Sequence, residues 1–107
     1  MLPIARAGAT GEAVKMSEWM DAAALADLLD GSDIQPAITA RVARSVLSSG
    51  VAAVAALGPG AFPSWGAATS VSLLVQRAFD EGYSGKQIAM RLAEAAGVQK
   101  ATRDGAA

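Results

Sequence analysis

The chain has 107 residues and a formal net charge of −1, and hydrophobic residues make up 52% of it but aromatic residues only 5%. This length suits one small domain with a single modest core. The chain contains neither cysteine nor histidine. That absence excludes disulfides, thiol chemistry, Cys/His zinc sites and histidine-based catalysis. The paired acids Asp80-Glu81 end a helix, and the acidic residues have no calcium-loop spacing. We therefore expect no enzymatic activity, no catalytic residue, no metal site and no cofactor.

The charges are divided unevenly along the chain. Residues 1–33 contain two basic and six acidic side chains, a net charge of −4, whereas residues 34–107 contain seven basic and four acidic ones, a net charge of +3. This asymmetry predicts an acidic, leader-like segment over 1–33 and an apolar, cationic core over 34–107. The N-terminus lacks the apolar segment of an ordinary secretory signal peptide.

The acidic segment is predicted to contain one amphipathic helix. Ser17 is a good N-cap, acidic residues follow in the first turn, and Gly31 ends the periodic pattern. Its apolar stripe comprises Met16, Trp19, Met20, Ala23, Ala24, Leu28 and Leu29. We expect Trp19 and the methionines to make core or docking contacts.

Three more helices are predicted from caps and breakers. The first covers about 35–57, with Pro36 just inside its start. The next starts after Pro63-Ser64, runs to about Glu81 and ends at Gly82. The last covers about 84–96 and ends at Gly97, which leaves a short polar tail. The predicted inward faces are Ile38, Val42, Val46, Leu47, Val51, Val54 and Leu57, then Val71, Leu74, Val75, Ala78 and Phe79, then Ile88, Leu92, Ala95 and Ala96.

No charged residue occurs between Arg44 and Arg77. Glycine and proline at 58–60 and at Pro63 divide this stretch, residues 45–76, into two helices joined by an apolar turn. Helical pieces of about 13–16 residues reach roughly 20–24 Å along their axis. This is less than the thickness of about 30 Å of the hydrocarbon core of a bilayer. We therefore predict an all-α fold, a compact bundle of four helices with short loops around this apolar hairpin.

Cationic side chains flank the hairpin, and a tryptophan lies at its turn. Lysine and arginine are attracted to anionic headgroups, and tryptophan favours the boundary between water and lipid. The predicted membrane-binding residues are Arg41, Arg44, Trp65, Arg77, Lys86 and Arg91. An alternative reading is that the hairpin is only the core of a soluble bundle and that these are ordinary surface charges.

Several short motifs resemble those of the circular bacteriocins. They are Thr39-Ala40-Arg41, Ser45-Val46, Ser49-Gly50, Ala55-Ala56-Leu57-Gly58, Pro63-Ser64-Trp65 and Ala67-Ala68. The Thr-Ala-Arg helix, the small-residue hairpin and the Trp-bearing turn are most similar to the gassericin branch. The segment with Ala78-Phe79, Gly82 and Lys86-Gln87-Ile88-Ala89 resembles the closing helix of the carnocyclin branch. The resemblance covers about residues 34–92.

This resemblance implies a compact saposin-like bundle of four or five short helices. It also implies a precursor that is made in the cytoplasm and loses a leader, here 1–33. The ends of the core are then joined, with Ala106-Ala107 at the carboxyl end, and the ring is secreted to permeabilise bacterial membranes. The implied partners are anionic membrane lipids and the machinery for leader processing, cyclisation and export, with self-association left open. The cations would attract the protein to the bilayer before the hairpin inserts.

A second possibility is a soluble helical binding or regulatory module. Residues 91–103 resemble the first half of a bacterial helix-turn-helix, with Ala93 and Gly97 four residues apart. Segment 84–103 would then bind DNA. The recognition helix would break at Asp104-Gly105, within a few residues of Thr102, and there is no basic surface of the usual size, so we expect no nucleic-acid partner.

Overall fold

The computed structural model describes residues 19–106, and all the regular secondary structure in that range is helical. The helices are α1 (Ala22–Gly31), α2 (Pro36–Ser49), α3 (Ala53–Leu57), α4 (Trp65–Asp80) and α5 (Gly85–Ala106), with 3₁₀ turns at Gly50–Ala52 and Pro59–Ala61. The prediction of a small all-α bundle is thereby confirmed.

The helix of the acidic segment is formed, but the face that it buries differs in part from the predicted stripe. Asp21 is the N-cap of α1, and its carboxylate accepts a 3.1 Å hydrogen bond from the Ala23 backbone N–H. The predicted cap at Ser17 lies outside the described residues. Helix α1 ends at Gly31 as predicted, but its buried residues are Leu25, Ala26 and Leu29. Leu28, predicted to face inward, is 49% exposed.

The predicted helix over 35–57 is interrupted at Gly50. This glycine has a φ of +59°, a left-handed conformation that favours a residue without a side chain. The Ser45 hydroxyl donates a 2.8 Å hydrogen bond to the Ala53 carbonyl across the interruption. The interruption divides the helix into α2 and the one-turn α3. Of the predicted inward face, Val42, Val46 and Val54 are buried, Ile38 and Leu57 are half-buried, and Leu47 and Val51 are exposed.

Helix α4 follows its sequence signals closely. The Ser64 hydroxyl caps it by accepting a 3.0 Å hydrogen bond from the Ala67 backbone N–H. The chain turns at Gly82, where φ is +96°. The predicted inward residues Val71, Val75 and Ala78 are buried.

Helix α5 is longer than predicted, so the prediction of a polar tail after Gly97 is wrong. Ser84 caps it through a 3.1 Å hydrogen bond from the Gln87 backbone N–H, but the helix continues through Gly97 to Ala106. The predicted tail is therefore helical up to Ala106. Gly97 lies on the exposed side and does not end the helix, because Gln99 beyond it is fully buried against α1 and α2. The turn that a helix-turn-helix needs at Gly97 is consequently not formed.

The packing is centred on α5. Its contact with α2 is the most extensive between helices, and its contact with α1 is the next. The two helical parts of the 45–76 hairpin do meet, because α4 packs against α3 and the 3₁₀ turn at Gly50–Ala52. Met20, Leu25 and Leu29 from the acidic segment belong to the same hydrophobic core as the later helices.

One helical stretch of the described chain, Pro36–Leu57, is long and apolar enough to cross a membrane. It has 22 residues, and its most apolar 18-residue window has a mean hydropathy of 1.3 and is 33% buried. Core helices of soluble proteins satisfy the same test, so length and composition alone do not distinguish a core helix from a membrane helix.

Candidate functional site

A shallow apolar groove runs between α2 and α5 and has a volume of about 470 Å³. Its lining residues are Ala40, Ala43, Arg44 and Leu47 from α2 and Lys86, Ala89, Met90 and Ala93 from α5. The alanines leave space between the helices, and Leu47 and Met90 remain 63% and 52% exposed. Leu47 on α2 and Met90 on α5 are thus large apolar side chains that are exposed to solvent on the two sides of the groove.

Cationic side chains accompany these apolar ones. Arg44 and Lys86 line the groove, and no acidic residue does. Within residues 19–106 the ion pairs are Arg77–Glu81 and Arg103–Asp30, so neither groove cation has a carboxylate partner there. As far as the described part of the chain goes, both charges are therefore open to an anionic ligand or surface.

A second depression extends this cationic region. Arg41 and Arg44, three residues apart on α2, line it together with the serines Ser45, Ser48 and Ser49 and with Ala56 and Leu57. Residues at this spacing lie on one side of a helix. The fold therefore brings together Arg41, Arg44 and Lys86, three of the six predicted membrane-binding residues.

Trp65 lies in a different part of the bundle. It is 77% exposed at the start of α4 and lines a separate groove with Val54, Pro59 and Leu73, among others. The Trp65 groove and the α2–α5 groove share no lining residue. The structure thus separates the predicted tryptophan from the arginines with which the sequence grouped it.

Arg77 is engaged by two neighbouring side chains. Its Nε donates a 2.9 Å hydrogen bond to Oε2 of Glu81, and its guanidinium lies 4.2 Å from the centre of the Trp19 ring. The indole N–H of Trp19 donates a 2.7 Å bond to the other carboxylate oxygen, Oε1. The hydrogen bond from Trp19 lowers the pKa of Glu81 most, and the hydrogen bond from Arg77 is the next largest cause. Arg77 is therefore held by Trp19 and Glu81, although part of its side chain remains exposed at the surface.

Arg91, the remaining predicted cation, is half-buried on α5 and does not line the α2–α5 groove. Sequence reasoning instead missed Leu47 as an exposed residue, since it assigned this leucine to the core, and it did not consider Met90. A signal for both was present. Leu47 follows Arg44 by three residues and Met90 follows Lys86 by four, spacings that place each pair on one helix face.

Comparisons of the chain with protein-family models, with curated proteins and with solved structures found no match. The likeness to circular bacteriocins therefore rests on the sequence motifs given above. The function of the α2–α5 groove is therefore inferred from the chemistry of the side chains that line it.

Proposed function

We propose that this protein binds anionic bilayers through the α2–α5 groove, as the first step of a membrane-permeabilising antibacterial activity. The observation that carries the proposal is the position of exposed Leu47 and Met90 beside Arg44 and Lys86. Apolar surface gains about 25 cal/mol per Å² on leaving water. Each lysine or arginine near an anionic membrane contributes about 1 kcal/mol. The two contributions act at one surface, since the four side chains share one groove.

The second step of the proposed activity is insertion of the apolar hairpin. Helix α4 has no charged residue before Arg77, and Trp65 at its start suits the interface between lipid and water. Helix α4 has only limited contact with α5, so its separation from the bundle costs fewer contacts than that of α2. Leakage of the target membrane would follow from this opening.

The proposed mature form is a secreted ring derived from residues 34–107. The sequence resemblance supports this part of the proposal, and so does the acidic character of 1–33. In the precursor, α1 covers part of the core with Leu25, Ala26 and Leu29. Removal of the leader would uncover apolar surface on α5, consistent with a protein that becomes membrane-active only after processing.

Binding to vesicles tests the first step. The full chain is sedimented with vesicles of phosphatidylglycerol and phosphatidylcholine, and separately with phosphatidylcholine alone. Lys86→Gln is compared with Lys100→Gln, which removes an equal charge from an exposed position on the same helix outside the groove. We expect binding only to anionic vesicles and a larger loss of affinity for Lys86→Gln. Equal losses for the two variants would contradict the assignment of the groove.

The intact mass of the protein from its native producer tests the maturation. A mass for a core without the front segment, lower by one water than that of the linear core, would establish a ring. An intact linear chain of 107 residues would rule out the circular-bacteriocin interpretation.

The α2–α5 groove also favours one alternative, a soluble module that binds a partner protein. A groove with small residues along its length and apolar residues at its sides accommodates an amphipathic helix. Cationic Arg44 and Lys86 would then select acidic residues on that helix. An intact linear chain that binds no vesicles would favour this alternative. The continuous α5 gives no support to DNA binding through 84–103.

A further inference from the structure

Helix α4 presents an uncharged face to the outside of the bundle. Trp65, Thr69, Leu73 and Gln76 succeed one another at helical spacing, and all four are exposed. Trp65 is 77% exposed and Leu73 is 64% exposed. Large exposed apolar side chains on one face, with tryptophan among them, are typical of protein interfaces.

We propose that a second copy of this chain covers this α4 face, with the two α4 helices antiparallel about a two-fold axis near Thr69. Trp65 and Leu73 lie four residues from Thr69 in opposite directions. In this arrangement Trp65 of each copy therefore packs against Leu73 of the other. A two-fold interface requires such a self-complementary surface, in which one patch matches itself.

Small side chains at the proposed axis allow the helices to approach each other. Thr69 lies at the centre of the face, and Ser72 and Gly66 are exposed beside it. The distance between packed helices depends on the side chains at their contact, so small residues permit a short one. Trp65 and Leu73 then fill the space on both sides of the axis.

The distribution of charge favours a second copy over a charged partner. Residues 64–76 contain no charged side chain, so two α4 faces meet without like charges opposite one another. The α2–α5 groove differs, because self-association there would bring Arg44 and Lys86 close to the same cations of the second copy. Leu28 of α1, 49% exposed, lines a further groove with Leu73 and adds apolar surface for the contact. Arg77 also lines that groove but lies outside the uncharged residues 64–76.

The mass of the full chain in solution tests this proposal in the absence of lipid. Sedimentation equilibrium is measured for the wild type, for Leu73→Glu and for Leu47→Glu, which puts the same charge on the other exposed apolar groove. We expect a concentration-dependent dimer for the wild type and Leu47→Glu, and a monomer for Leu73→Glu. A monomeric wild type, or equal loss of the dimer in both variants, would overturn the proposal. Far-ultraviolet circular dichroism establishes that each variant folds.

Cross-linking tests the register independently of an added charge. Since the chain has no cysteine, Thr69→Cys and Lys100→Cys each provide a single reactive position. A short bis-maleimide should link two copies efficiently through Thr69→Cys and poorly through Lys100→Cys. Equal cross-linking at the two positions would overturn the two-fold axis near Thr69. Because neither experiment contains lipid, failure of the dimer and failure of membrane binding are separate results.

Discussion

The Gln99 side-chain N–H donates a 2.8 Å hydrogen bond to Oδ1 of Asp30 and thereby joins α5 to the end of α1. The same nitrogen donates to the Ile34 carbonyl at 2.6 Å, and Oε1 of Gln99 accepts a 2.7 Å bond from the Thr39 hydroxyl. Gln99 has no exposed surface. A buried amide is tolerated here because both of its polar atoms have partners.

Replacement of Gln99 by leucine should destabilise the fold. The Ile34 carbonyl loses a hydrogen bond in the interior, and a buried polar group without a partner costs about 1–3 kcal/mol. Urea unfolding followed by circular dichroism measures this loss. Gln35→Ala is the control, since Gln35 is exposed and its side chain makes no capping bond. A Gln99→Leu protein as stable as this control would contradict the structural role of the amide network.

Two glycine substitutions should change stability in opposite directions. Gly97→Ala should stabilise the protein by about 0.5–1 kcal/mol, because Gly97 lies inside α5 and a methyl group there meets no atom within 4 Å. Gly50→Ala should destabilise it by about 1–3 kcal/mol, because φ at Gly50 is +59°. Thermal unfolding of both variants shows whether each substitution raises or lowers the stability of the fold. A destabilising Gly97→Ala would instead indicate a turn at this position, as a helix-turn-helix requires.

Glu81 should make stability depend on pH in the acidic range. Its pKa is lower in the folded protein than the ordinary value of 4.5, owing to Trp19 and Arg77. Its contribution is therefore present above the ordinary pKa and is lost as the pH falls through the folded pKa. Urea unfolding across this range should show a weaker pH dependence for Glu81→Gln than for the wild type. Glu94→Gln, an exposed change on α5, should leave the dependence unaltered.

Deletion of residues 1–33 should uncover apolar surface. The deletion removes Leu25, Ala26 and Leu29, which the structure buries, together with Asp30, the partner of Gln99. We expect a less stable protein that binds more of the dye ANS and releases more fluorophore from anionic vesicles. A chain that lacks only residues 1–18 is the control. Equal release by the two shortened chains would contradict a covering role for α1.

The acidic segment shows which properties can be read from the sequence and which require the structure. The sequence distinguishes residues 1–33 by charge, because charge can be counted without knowledge of any contact. It does not reveal that Leu25 and Leu29 enter the core shared with the later helices. The same limit explains why the predicted stripe correctly includes Met20 and Leu29 but wrongly includes Leu28 in place of Leu25, since the inward face depends on where α5 lies.

Local sequence signals predict the all-α class and several helix boundaries, including Pro36, Ser64 and Gly82. These signals are local, because a cap or a left-handed turn involves only neighbouring residues. Packing between helices accounts for three features that these signals do not predict. Helix α5 continues past Gly97, Arg77 contacts Trp19 and Glu81, and Leu47 and Met90 lie exposed beside two cations. Each of these facts depends on residues distant along the chain, whose contacts outweigh or redirect the local preference of the sequence.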